Sequence, residues 1–62
     1  MLTMCEFKVY LSGERVYEDV IYAKAEGSGV ILRDVLGRTK KVENARIAEV
    51  DVARELLVLE GA

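Results

Sequence analysis

Cysteine occurs once in this 62-residue chain, as Cys5, and histidine is absent. Thiol or soft-metal chemistry therefore centres on one sulfur, whose thiolate is the reactive and ligating form. A nucleophilic cysteine needs a base to take its proton, and the usual base, histidine, is missing. The paired spacings of a zinc finger are missing too. Glu18 and Asp19 are the obvious paired carboxylates, but neighbours on a strand face opposite ways. They read as solvated edge charges rather than an acid/base couple, so no enzyme is expected.

Cys5 has two readings. In Cys5-Glu6-Phe7-Lys8-Val9-Tyr10-Leu11 it alternates in phase with Phe7, Val9 and Leu11. That makes it a small core hydrophobe, and the protein a structural interaction module with a buried cysteine. The sharper reading is a metal ligand at the start of the first strand. One chain supplies too few donors, but a twofold homodimer brings two Cys5 sulfurs to one axis. Backbone nitrogens of Cys5 and Glu6 would complete an N/S set, which suits Ni(II) or Cu(II) better than Mg(II) or Ca(II).

Tyr10, Tyr17 and Tyr22 raise a third possibility, because aromatic platforms on a small barrel stack nucleic-acid bases. Lys40, Lys41 and Arg46, with Arg38, would supply phosphate contacts for RNA. Against this, acidic residues are interspersed and the net charge is −2. No global basic field advertises nucleic acid.

The elements that position these residues are strands. Turn signals at 12–14, 26–29, 36–38, 43–45 and 53–55 cut the chain into β-branched segments near 5–11, 16–25, 30–36, 39–42, 46–52 and 56–60. Ala48, Val50 and Val52 share one phase in the fifth segment. In the last, Leu57 and Leu59 face one side and Leu56 and Val58 the other, a strand covered on both faces. A short helix over 51–58, capped by Asp51, is the rival there. Gly27-Ser28-Gly29 reads as a hairpin loop, not a phosphate loop, since no helix pattern with Lys-Ser/Thr follows.

The expected fold is all-β: a Greek-key-like barrel of five to seven short antiparallel strands. Residues 1–62 form a single domain, with 1–3 as an N-terminal extension. The predicted core is Phe7, Val9, Leu11, Val30, Leu32, Val50, Leu57 and Leu59. At 52% hydrophobic and 32% charged, the composition is that of a folded soluble protein. Its apolar runs are too short to span a membrane. A lone free cysteine fits the reducing cytoplasm, and oligomerisation would supplement so small a core.

The segments Met4–Leu11, Asp19–Ala23, Val30–Gly37 and Ile47–Asp51 together resemble the CooT family, with the Met4-Cys5 pair as the specific part. Members were catalogued as predicted RNA-binding proteins, and the founding one is a nickel-binding accessory factor for maturation of carbon monoxide dehydrogenase. The resemblance implies a homodimeric small β-barrel that holds Ni(II) by Cys5 from each protomer. Met1-Leu2-Thr3 precede the Met-Cys pair here, so Cys5 is not the second residue of the chain as given.

Overall fold

The computed structural model describes residues 6–62, and its local geometry is set first by turns. Ser12 and Gly13 both have positive φ, 55° and 80°, as the tight hairpin between Leu11 and Glu14 requires. Gly27 supplies φ 59° for the next hairpin, between Glu26 and Gly29. Six strands result: β1 Phe7–Leu11, β2 Glu14–Glu26, β3 Gly29–Asp34, β4 Thr39–Val42, β5 Ala45–Asp51 and β6 Leu56–Gly61. They form one sheet in the order β4-β3-β2-β1-β6-β5, curled into a half-barrel. Residues 52–55 make a turn leading into β6, so the strand reading of 56–60 holds over the helical one.

β2 is long because it serves two partners. Its first half pairs with β1 and its second with β3, with register shifts on both sides of Val20. Asp19, at φ 58°, sits at that bend, and its carbonyl accepts the Val35 N–H at 3.0 Å. Such bulges bend a strand and increase its twist, which curls the sheet. All pairings are antiparallel except β1 with β6. At the far end, the Ala45 N–H donates to the Ser28 carbonyl at 3.0 Å and draws β5 towards β3. The outermost strands, β4 and β5, carry Lys40, Lys41, Arg46 and Glu49, charges that discourage edge-to-edge association.

Val9, Val20, Val30, Leu32, Ala45, Leu57 and Leu59 are the buried core, with Phe7 and Leu11 half-buried against it. Val50 departs from expectation: it is 56% exposed. A bulge between Ile47 and Glu49 leaves Ala48 without a cross-strand partner and sets Val50 opposite the buried Leu57. Val50 therefore does face the concave side, but at the open end of the half-barrel, where no strand covers it. Ala48 and Val52 are exposed as well.

Candidate functional site

The sequence directs attention to the start of β1. Cys5, with its own backbone nitrogen, lies outside the described residues. Glu6, whose nitrogen completes the expected donor set, is exposed immediately before the strand. From there the chain is held firmly: the Lys8 N–H donates to the Glu55 carbonyl at 2.9 Å, and Phe7 pairs with Val20. Phe7 also lines an open apolar cleft of about 180 Å³, walled by Val20–Ala23 of β2 and by Ile47, Val50 and Leu57. Ile21 and Tyr22 beside it are each 40% exposed. Cys5 is thus two residues upstream of an uncovered apolar end.

Among the described residues no three His, Cys, Asp or Glu side chains group as a metal site. A single thiolate with amide nitrogens matches the preferences of a borderline-soft ion in a planar N/S field.

The tyrosines do not form one platform. Tyr17 turns inward and its hydroxyl donates to Asp34 Oδ2 at 2.8 Å. Tyr22 stands on the outer surface of β2 with the Arg33 guanidinium 4.5 Å above its ring. Tyr10 pairs with Val58 on the outer face of β1. The basic residues are likewise dispersed. Lys40 lies 5.4 Å over the Tyr17 ring, and Lys41 is 3.9 Å from Glu43. Arg46 on β5 donates to Glu60 at 2.6 Å, and Arg38 to Asp34 at 2.8 Å.

Asp34 is the most tightly engaged polar group, and reading the sequence did not single it out. It is 1% exposed at the end of β3. Its carboxylate accepts the Tyr17 hydroxyl, the Leu36 N–H at 2.9 Å, the Arg38 N–H at 3.0 Å and Arg38 Nε. Burial alone would push its pKa up; the hydrogen bonds from Tyr17, Arg38 and Leu36 prevail and hold it at about 2. The same hydrogen bond to Asp34, together with burial, pushes the Tyr17 hydroxyl above its ordinary value of 10.0. An aspartate two residues before Leu36-Gly37 is an Asx-turn pattern, the signal that would have found it. With every oxygen engaged, Asp34 is a clamp between β2, β3 and the 35–38 turn rather than a reactive group.

Comparison with known proteins adds the family. The model of the family described as the CO dehydrogenase accessory protein CooT matches residues 4–60, starting at the Met4-Cys5 pair. An uncharacterised protein of Methanocaldococcus jannaschii is 34% identical over 58 residues, which covers 94% of this chain and all of that one. The chain belongs to the CooT family, whose members are accessory proteins for CO dehydrogenase and not enzymes.

Proposed function

We propose that this CooT-family chain is a Ni(II)-binding accessory protein that handles nickel for a nickel enzyme such as carbon monoxide dehydrogenase. It would act in the cytoplasm as a homodimer and share one ion between two protomers. Cys5 of each supplies a thiolate, and the backbone nitrogens of Cys5 and Glu6 supply the remaining donors. The observation that carries this reading is the family match, which spans 4–60 and so includes the one cysteine of a chain without histidine. The stoichiometry follows from donor chemistry: a four-coordinate N/S site with two thiolates needs two chains.

A site with few protein ligands suits the task. A carrier must release its ion, and a site built on one thiolate per chain beside the start of a strand has few bonds to break. Nickel binding must also release the thiol proton, so affinity rises with pH. The test is titration with Ni(II), followed by sulfur-to-nickel charge-transfer absorption, in wild type and Cys5→Ser. The band should appear in wild type, saturate at half an ion per chain and be lost in the variant. An unchanged binding curve in Cys5→Ser would refute the proposal.

A further inference from the structure

β6 is apolar on both sides. Leu57 and Leu59 point into the half-barrel, while Leu56 and Val58 point out and stay half-buried. Beside them on β1 stands Tyr10, paired with Val58, so the outer face of the sheet has an apolar seam at its centre. An open cleft lined by Tyr10, Leu56, Val58, Gly13 and Arg54 marks the seam. The charges around it are ordered. Across β2, β1, β6 and β5 one row reads Arg15, Tyr10, Val58, Glu49, each paired with the next. A cation and an anion therefore end the row at equal strand distances from the β1–β6 seam.

That row is complementary to its own copy turned over. We infer that the outer face of β1 and β6 is the surface on which two copies of the chain pair, about a twofold axis running along the seam, parallel to the strands. The inference rests on the homodimeric reading above and specifies its geometry. Rotation about this axis exchanges left and right but keeps strand direction. Tyr10 then meets the partner's Val58, and Arg15 meets the partner's Glu49, twice over. A twofold axis running across the strands would instead set Arg15 on its own copy and Glu49 on its own copy, and like charges in contact oppose association.

The neighbouring charges allow this. Arg15 lies 3.7 Å from Glu18 with both side chains about half exposed, a weak pair that leaves the guanidinium available. In the adjacent row, Lys8 and Asp51 flank Leu56, and Arg54 lies 4.0 Å from Asp51. On the other side of the Tyr10–Val58 row, Arg46 and Glu60 satisfy each other. The outer face is convex, so β1 and β6 make the close contact, and long side chains on β2 and β5 reach across the rim.

The axis has a consequence for the metal. Because strand direction is kept, both β1 strands begin at the same end of the dimer. Face-packed sheets lie ~10 Å apart and adjacent strands ~4.8 Å apart, so the two Phe7 positions fall near the axis at that end. The two β1 strands therefore start side by side at one end of the dimer rather than at opposite poles.

The experiment is sedimentation equilibrium of the metal-free full chain in a Cys5→Ser background. The protein should be dimeric. Arg15→Glu and Glu49→Arg should each weaken the dimer about tenfold, and the combination should restore it to within about threefold. Circular dichroism should show each variant folded. A monomer at ~100 µM, single variants with unchanged dissociation, or a combined variant that fails to recover would overturn the inference. A dimer that obeys the charge swap while nickel ignores Cys5→Ser would sink the metal reading alone. A nickel-binding dimer indifferent to Arg15 and Glu49 would sink this one alone.

Discussion

The Tyr17 hydroxyl donates to Asp34 Oδ2 at 2.8 Å, and this one bond ties the first half of β2 to the end of β3 beneath the Arg38 turn. It fixes the end of β3 where Asp34 pairs with Val20, which in turn pairs with Phe7 beside the open apolar cleft.

Its pH signature follows from sign. The folded-state pKa of Asp34, about 2, lies below its ordinary 3.8. The clamp therefore contributes fully above pH 3.8 and is lost as pH falls through about 2. Asp34→Asn should lower the melting temperature at neutral pH and flatten its fall between those two values. An acid-melting profile of the same steepness would count against the clamp. For Tyr17 the shift is upward, so its contribution is kept below 10.0 and lost as pH rises beyond the folded-state value; Tyr17→Phe should remove that alkaline component.

Gly29 is required by space rather than by φ. A Cβ built there would lie 2.6 Å from the Val42 carbonyl oxygen, a backbone atom of the neighbouring β4. Gly29→Ala must push β4 off β3 and should cost ~1–3 kcal/mol in urea unfolding. Gly61→Ala, where a Cβ meets nothing within 4 Å, is the matched control and should be close to neutral.

Glu55 has φ 56° while its carbonyl holds Lys8 at the start of β1. A residue with a Cβ is strained there by ~1–2 kcal/mol. Glu55→Gly should relieve the strain, offset by glycine's greater freedom in the unfolded chain, for a net gain of about 0.5–1 kcal/mol. A loss of stability would mean that the half-buried Glu55 side chain makes a stabilising contact.

Much of the fold was legible because period-two alternation and turn residues coincide. Leu57 and Leu59 declared the inner face of β6, and Gly27-Ser28 the β2–β3 hairpin. Two features escaped. The bulges at Asp19 and Ala48 insert single residues, which alternation cannot register, and Val50 faces inward but at an end that no strand covers, which a local pattern does not show. The Asp34 clamp escaped because its partners, Tyr17 and Arg38, come from two different elements that only the curl of β2 brings together. For the candidate site, the sequence named Cys5 from its singularity, and Cys5 lies outside the described residues.

The difference between the buried core and the open end is measurable. Leu32, fully buried, and Val50, at the uncovered end, carry similar side chains in opposite settings. Leu32→Ala should cost ~2–5 kcal/mol, whereas Val50→Ala should stay within ~0.5 kcal/mol. Equal losses at both positions would mean that the open end is covered in the folded protein.

The central claim is that two Cys5 thiolates, one from each of two chains, hold one nickel ion. X-ray absorption at the nickel edge of the loaded protein, paired with metal analysis, reads this directly. The account predicts half a nickel per chain and two sulfur scatterers in an otherwise nitrogen shell. One ion per chain with a single sulfur, or a shell without sulfur, would contradict it.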